Sequence, residues 1–266
     1  MQKTLEITGS SIIGELEMQN YKLTLQYDGT KYNGWQRQGN TANTIQGKLN
    51  EIIGKYLNEE IDIAGSGRTD AGVHAYGQVA NFKTKQKLDT ERFLYDMNGY
   101  LPHDIRIIEV EEVEERFHAR LSAVSKTYEY VIDNGKVSNV FGRKYAWRVE
   151  EKLNVEEMRK AAKFLIGTYD YTSFCGNKKF KKSAVRIVTD IVIEEIGEEK
   201  GKIRISYTGN GFLQNMVRIM TGTLVEVGLG KRTPESMQTI IAAKSREEAG
   251  MMAPPEGLFL KCVCYK

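Results

Sequence analysis

Apolar and polar side chains alternate in several parts of this chain, first at residues 21–27, where the pattern predicts a half-buried β-strand. Apolar residues at helical spacing follow Thr44, which is placed to cap a helix. The same signals give residues 19–112 a β-α-β-β-α-β order. Its members are strands at 21–27, 61–64, 79–82 and 104–110, a helix after Thr44, and a helix from Asp89 that ends at Asn98-Gly99.

The second half of the chain has its own mixture of elements. They are predicted strands at 127–132, 185–196, 203–207 and 258–265 and predicted helices at 155–165 and 212–227. The strands on either side of Gly197–Gly201 are predicted to form a hairpin. Hairpins mixed with helices favour an α+β fold with mainly antiparallel sheets over a doubly wound fold.

The pattern divides the chain into an extension and two domains. Residues 1–17 show no strong periodicity and precede a second methionine, Met18, so we expect them to be a dispensable extension. The boundary between the halves falls near 113–122, which gives an N-terminal domain at 18–116 and a C-terminal domain at 117–266. Because no Gly-, Pro- or Ser-rich linker marks this boundary, the domains are expected to share an interface.

Composition places the chain among globular proteins. Its 266 residues are 41% hydrophobic and 27% charged, and 38 basic residues against 35 acidic ones give a net charge of +3. No apolar run approaches the roughly 18–20 residues that a membrane span needs, and the first twenty residues do not form a signal peptide. Three cysteines, an odd number, argue against a disulfide framework. We therefore expect a cytoplasmic protein with no membrane association.

Basic residues are concentrated in two stretches. The first contains Lys178, Lys179, Lys181, Lys182 and Arg186 with Phe180 inside it, and the second contains Arg143, Lys144 and Arg148 interleaved with Phe141, Tyr145 and Trp147. Each stretch fits either an ordinary solvated surface or a surface that contacts phosphates and stacks on bases.

A glycine-rich segment at 64–78 carries the strongest chemical signal. Small residues there surround one cation, Arg68, and one carboxylate, Asp70. A short carboxylate on a constrained turn is suited to act as a nucleophile or a base, although a tight turn in which Asp70 binds its own loop explains the pattern equally well. The segment lacks phosphate-loop motifs, and the three histidines, His74, His103 and His118, lack metal-ligand spacing, so no metal site is expected.

Two further segments add candidate residues. Arg218 lies in a helix with apolar residues on most sides, so it should be buried and should have a carboxylate partner. That partner is either a structural carboxylate such as Glu226 or the candidate catalytic Asp70. In the strand that begins the second half, Tyr128 and Tyr130 share one face; Tyr130 is interpreted as a core residue, and both roles stay open for Tyr128.

These segments together resemble the tRNA pseudouridine synthase A family. The matching motifs, in the family's order, are Tyr27-Asp28-Gly29-Thr30 with Gly34-Trp35-Gln36, Gly67-Arg68-Thr69-Asp70-Ala71-Gly72-Val73-His74-Ala75, Lys126-Thr127-Tyr128, Tyr169-Asp170-Tyr171-Thr172-Ser173-Phe174, Asn210-Gly211-Phe212 with Met216-Val217-Arg218, and Pro255-Glu256-Gly257-Leu258-Phe259-Leu260. They cover about residues 20–265.

The resemblance implies an isomerase without a cofactor that converts uridines of the tRNA anticodon stem-loop, at positions 38, 39 and 40, to pseudouridine. It implies that Asp70 is the catalytic aspartate, that Tyr128 stacks beneath the target base and is a candidate for moving a proton, and that Arg218 pairs with Asp70. It also implies that Arg68 fills the space of the flipped nucleotide and that Leu258 packs against the uracil.

The same resemblance implies two similar α+β domains joined across a central RNA-binding cleft, and a homodimer that binds tRNA with both subunits. We also expect Lys178, Lys179, Lys181 and Lys182 to contact RNA phosphates. The alternatives are a non-catalytic RNA-binding protein and a paralogue with a different choice of positions. An aspartate-based hydrolase is a weaker alternative, because no water-activating histidine or metal set accompanies Asp70.

Overall fold

The computed structural model describes residues 18–39, 41–177, 183–197 and 201–266. Within these ranges there are ten strands and five α-helices. The strands are β1 (Gln19–Tyr27), β2 (Ala64–Gly65), β3 (His74–Thr84), β4 (Ile105–Val113), β5 (Ala123–Asp133), β6 (Trp147–Arg148), β7 (Gly167–Asp170), β8 (Val185–Ile196), β9 (Lys202–Gly209) and β10 (Leu258–Tyr265). The helices are α1 (Ile45–Leu57), α2 (Thr90–Tyr100), α3 (Val155–Phe164), α4 (Met216–Gly228) and α5 (Ser236–Ala243).

The ten strands form one sheet in which the two halves of the sequence meet at its centre. The order is β4-β1-β3-β10-β5-β9-β8-β7, with β2 paired to β3 and β6 paired to β5. The last strand, β10, lies parallel to β3, with Phe259 opposite His74, and antiparallel to β5, with Leu258 opposite Tyr130. Apart from β3–β10 and β5–β6, every described pairing is antiparallel. The predicted α+β class is therefore confirmed.

One face of the sheet carries the large buried side chains, and the helices pack against it. Leu23 in β1 and Ile205 in β9 have no exposed surface. The helix α4 is buried along almost its whole length, and its Thr221 hydroxyl lies 2.8 Å from the Tyr207 hydroxyl of β9. Burial of this apolar surface, at about 25 cal/mol per Å², is the main force that holds the helices on the sheet.

Several predicted elements match the structure closely. The first strand and the first helix are present, and the side chain of Thr44 accepts a hydrogen bond from the Gly47 N–H at 3.1 Å, as its capping position predicts. Asp89 caps α2 in the same way. The hairpin is present as β8 and β9, which pair antiparallel. In the described ranges no helix is long and apolar enough to cross a membrane.

Other predicted boundaries of strands and helices were wrong, for reasons found in the local structure. Of the strand predicted at 61–64, only Ala64 is in β2, because the Ile63 carbonyl accepts from the Gln46 side chain instead of a strand partner. The helix α2 continues past Asn98-Gly99 to Tyr100, since the Asn98 side chain binds the backbone of Ile107 outside the helix. The sequence patterns also did not predict the short strands β6 and β7 or the helix α5.

The helix predicted from Phe212 begins only at Met216. Asn215 adopts a left-handed backbone conformation with φ of 59°, which a right-handed helix cannot contain and which asparagine tolerates better than most residues. The residues before it form an irregular segment.

Candidate active site

A cavity of about 780 Å³ lies beside the β3–β10 junction. One side is the loop between β2 and β3, including Asp70, and the other is the segment that leads into α4 together with the first turn of α4, including Arg218. Leu258, the first residue of β10, also lines it. A larger and more open groove runs along α1, but it contains none of the candidate catalytic residues. The cavity between the two halves is therefore the candidate site.

Asp70 and Arg218 face each other in this cavity. The Arg218 Nη1 lies 3.7 Å from the Asp70 Oδ2, while its Nε donates to the Ala253 carbonyl at 2.8 Å. The Asn215 Oδ1 accepts a further hydrogen bond from Nη1 at 3.4 Å. Burial raises the pKa of the Asp70 carboxyl, and the Arg218 charge acts in the opposite direction. Arg218 thus favours an ionised Asp70 at a partly buried position.

The alternative partner considered for Arg218, Glu226, is engaged elsewhere. Its carboxylate pairs with Arg232 and accepts a hydrogen bond from the Met251 N–H. The carboxylate partner of Arg218 in the described residues is therefore Asp70.

The loop that carries Asp70 is held on both sides by buried hydrogen bonds. The Thr69 hydroxyl lies 2.8 Å from the Tyr27 hydroxyl, and the Thr69 carbonyl accepts from the Trp35 N–H at 3.0 Å. Gln78 donates to the Gly67 carbonyl at 2.9 Å and accepts from the Ser66 hydroxyl at 2.7 Å. These contacts fix the position of the loop, and with it the Asp70 carboxylate, without a bound ligand.

Gly72 is the position where this loop requires glycine. Its φ of +78° lies in the left-handed region, and a Cβ there would come within 2.9 Å of the Pro255 Cγ. Pro255 belongs to the short turn before β10, so the loop and the strand that joins the two halves are packed directly on each other.

Arg68 lies at the open side of the cavity and is exposed. Its Nε donates to the Gln36 Oε1 at 3.0 Å, and Gln36 in turn donates to Gln46 of α1 at 2.6 Å. Because Gln46 is buried and also donates to the Ile63 carbonyl, this chain of hydrogen bonds ties Arg68 to the helix. The sequence reasoning missed Gln36 and Gln46 as supports for Arg68.

Tyr128 and Leu258 are buried against the cavity, with 8% and 4% of their surface exposed. The Tyr128 ring meets the Phe212 ring edge to face at 5.3 Å. Burial, together with the nearby Tyr27 and Asp70, raises the pKa of the Tyr128 phenol well above its usual value. The phenol is therefore un-ionised at neutral pH and can donate a hydrogen bond. Tyr130, interpreted as a core residue, is fully buried.

Lys126 is a site residue that the sequence reasoning did not single out. It is 9% exposed, lines the cavity, and donates a hydrogen bond to the Ser66 carbonyl. Burial, helped by the positive charge of Arg120, lowers the pKa of its ammonium group to about 8. The signal that could have identified Lys126 is its position two residues before Tyr128, because the alternation of a strand puts both side chains on one face.

The two basic stretches have different outcomes. Lys178, Lys179, Lys181 and Lys182 lie outside the described residues. In the second stretch, Arg148 pairs with Asp133 at 3.2 Å and donates to the Gly135 carbonyl. Trp147 packs edge to face on Tyr130. These two members therefore have structural partners within the protein.

Each of the three histidines makes a hydrogen bond. His74 and His118 each accept through Nδ1 at 3.1 Å, from the N–H groups of Gly29 and Arg120. The His103 Nδ1 lies 3.1 Å from an Arg106 nitrogen, which can only donate. Among the residues with described positions, no group of three or more His, Cys, Asp or Glu side chains is arranged to hold a metal ion.

Comparison with known proteins adds an independent finding. Residues 24–121 and 161–266 match the family described as tRNA pseudouridine synthase. A Bacillus anthracis protein named tRNA pseudouridine synthase A 2 is 49% identical over 246 residues, which cover 92% of this chain and 99% of that protein. Proteins named tRNA pseudouridine synthase A from Bacillus sp. (strain KSM-64) and Thermoanaerobacter pseudethanolicus are 46% and 45% identical, with 93% of this chain and 100% of each relative covered. With most of its length matched, and with Asp70 and Arg218 facing each other in its central cavity, this chain belongs to the tRNA pseudouridine synthase family.

Proposed function

We propose that this chain is an isomerase that converts uridine to pseudouridine in the anticodon stem-loop of tRNA, at positions 38, 39 and 40, without a cofactor. The observation that carries the proposal is the Asp70–Arg218 pair, 3.7 Å apart, in a cavity shared by the two halves of the chain. The names of the relatives support tRNA as the substrate.

The reaction breaks the bond between N1 of uracil and C1′ of the ribose and forms a bond between C5 and C1′. The proton on C5 must leave, and N1 must gain one, so atoms balance without an oxidant or a second substrate. Asp70 is proposed as the group that attacks or deprotonates during this exchange, with Arg218 keeping it ionised. Tyr128 would stack beneath the base, and its neutral phenol could donate a proton.

A base inside an RNA stem cannot reach Asp70, so the nucleotide must leave the stack, at a cost of a few kcal/mol. Arg68 is proposed to fill the vacated space, since its guanidinium is exposed beside the cavity and can stack on bases. Leu258, at the cavity wall, would pack against the uracil. In these roles Arg68 and Leu258 would help to flip and bind the nucleotide, and they would take no part in the chemistry at Asp70.

The finer architecture is part of the same proposal. We propose that residues 18–116 and 117–266 act as two domains around a central RNA-binding cleft, that two copies of the chain form a homodimer on tRNA, and that the enzyme works in the cytoplasm. Lys178, Lys179, Lys181 and Lys182 are proposed to contact RNA phosphates. Replacing all four by alanine should weaken tRNA binding broadly and reduce its salt dependence, by a slope of about 0.7–0.9 for each lost contact.

The direct test is to incubate the purified chain with unmodified tRNA and map pseudouridine at single-nucleotide resolution. Pseudouridine at positions 38, 39 and 40 is the expected result. Pseudouridine elsewhere would identify a paralogue with different positional specificity. Tight tRNA binding with no pseudouridine would instead support a non-catalytic RNA-binding protein and contradict the proposal.

A further inference from the structure

Three cations line one part of the cavity without an acidic partner. They are Arg120, which precedes β5, Lys126 in β5 and Arg186 in β8. In the part of the chain that the structure describes, no carboxylate lies within salt-bridge distance of any of them. The carboxylate that shares their cavity, Asp70, faces Arg218 instead. The cavity therefore carries an excess of positive charge next to the proposed catalytic group.

Arg120 is close enough to repel each of the other two cations. The charge of Arg120 adds to burial in lowering the pKa of both Lys126 and Arg186, which places Arg120 within electrostatic reach of each. Backbone carbonyls hold two of the three in place: Lys126 donates to Ser66, and the Arg186 Nη1 donates to Ser183 and Val185 at 3.0 and 2.6 Å. Positive charges gathered around one cavity are unfavourable until an anion binds among them.

We propose that Arg120, Lys126 and Arg186 form a single binding site for one phosphate group of the RNA backbone, adjacent to the nucleotide at Asp70. The proposal rests on the RNA substrate proposed above and adds to it the place where the backbone is held. A phosphate offers several strong acceptor oxygens, which suit two planar guanidinium groups and one ammonium group at once. Contacts of this kind position the nucleic acid but do not read its sequence.

The site is adjacent to the proposed chemistry through Gly67. A Cβ on Gly67 would lie 3.4 Å from the Tyr128 hydroxyl and 3.5 Å from the Lys126 Nζ. Lys126 therefore reaches the same stretch of loop as Tyr128, three residues before Asp70. A phosphate bound to Lys126 would be held near the start of the catalytic loop.

The first experiment counts phosphates from the salt dependence of tRNA binding. The variants are Arg120→Gln, Lys126→Met, Arg186→Gln and their triple combination. If one phosphate contacts all three residues, the triple variant should lose only about 0.7–0.9 from the slope of log affinity against log salt. A loss of about two or more would mean separate phosphates, and an unchanged slope would mean no contact; both results contradict the single site.

A matched control variant removes one positive charge, as each single variant does, but at a position away from the cavity. Lys87→Gln removes an exposed lysine beyond Thr84, the end of β3 opposite to the catalytic loop, and it should leave both affinity and slope nearly unchanged. Because Lys126→Met removes a support of the loop, the double variant Arg120→Gln/Arg186→Gln provides a second measurement that keeps the Ser66 contact.

The second experiment locates the phosphate. Anticodon stem-loop RNAs, each with one uncharged methylphosphonate, are bound to the parent chain and to the double and triple variants. At one position next to the target uridine, the substitution should weaken parent binding about tenfold and triple-variant binding not at all. The absence of such a position overturns the inference.

Pseudouridine formation on the unmodified stem-loop is measured in parallel, so that the two proposals can fail separately. Turnover without a coupled phosphate position rejects the phosphate site and retains the proposed function. If the parent chain neither binds nor isomerises this RNA, both are rejected.

Discussion

The Arg218 guanidinium lies 3.7 Å from the Asp70 carboxylate, although the two residues are almost 150 positions apart in sequence. They come from opposite halves of the chain, and the sheet is continuous between those halves through the β3–β10 pair. The candidate site is therefore complete only when both halves are assembled.

The first prediction concerns the pH dependence of the reaction in an Arg218→Leu variant. Burial raises the pKa of Asp70 and Arg218 lowers it, so removing Arg218 should raise that pKa further. If the ionised carboxylate is the active form, as proposed, the rate at neutral pH should fall sharply, and the acid limb of the rate profile should move to higher pH. Single-turnover rates across the pH range measure this shift.

The matched control is Arg232→Leu, which removes a partly buried arginine paired with Glu226. Its acid limb should stay where it is in the parent. In addition, Arg218→Leu combined with Asp70→Asn should lose no more activity than Asp70→Asn alone, because the two residues act as one unit. An unshifted profile in Arg218→Leu would show that Arg218 does not tune Asp70.

The second prediction separates base flipping from chemistry. Arg68→Ala should slow pseudouridine formation in a base-paired stem and leave it near parental in an RNA whose target uridine is already unstacked. Gln36→Ala should have a weaker effect of the same kind, because Gln36 accepts the hydrogen bond from Arg68. Gln36→Glu keeps the acceptor for Arg68 but loses the N–H that donates to Gln46, so its rate should lie between those of Gln36→Ala and the parent. Equal losses on both RNAs would place Arg68 in the chemical step instead.

A third prediction follows from the buried ammonium of Lys126. Its pKa in the folded protein is about 8, below the usual value near 10.5, so between these pH values the unfolded chain binds more protons. The free energy of unfolding of the parent should therefore rise with pH over this window, by up to about 3 kcal/mol, relative to Lys126→Met. Urea unfolding of both proteins at pH 7, 9 and 10 measures the difference.

Loss of the hydrogen bond to the Ser66 carbonyl in Lys126→Met adds an offset that does not depend on this titration. Lys87→Met, at an exposed lysine, should show no such pH dependence relative to the parent. A constant difference between parent and Lys126→Met would show that Lys126 keeps an ordinary pKa.

The fourth prediction concerns the Tyr128 hydroxyl. Tyr128→Phe keeps the ring that packs on Phe212, so tRNA binding should stay close to that of the parent. If the phenol donates a proton, the variant should be slower by about a hundred- to ten-thousandfold, the usual range for a general acid. Single-turnover rates at saturating tRNA measure the loss. A parental rate would restrict Tyr128 to stacking.

Local patterns were enough to predict most of the framework of the fold. The alternation in β1 and the Thr44 cap of α1 are short-range signals, and both elements are present. The cost of a buried charge also predicted that Arg218 needs a carboxylate, which the structure identifies as Asp70.

The features that the sequence patterns did not predict depend on tertiary contacts. Because Asn215 has a left-handed backbone conformation, α4 begins later than predicted. The local sequence pattern does not predict this conformation. The burial of Lys126 depends on the loop between β2 and β3, whose Ser66 carbonyl accepts its hydrogen bond, and the grouping of Arg120 with Arg186 brings together distant parts of the sequence. Such arrangements are fixed by sheet order rather than by spacing.

The most direct test of the central claim, that Asp70 carries the chemistry, is the activity of Asp70→Asn. This change keeps the size and much of the hydrogen bonding of the side chain but removes its charge. Tritium release from tRNA labelled at C5 of uridine is measured together with tRNA affinity. The account predicts parental affinity and no tritium release above background; appreciable release by Asp70→Asn would contradict it.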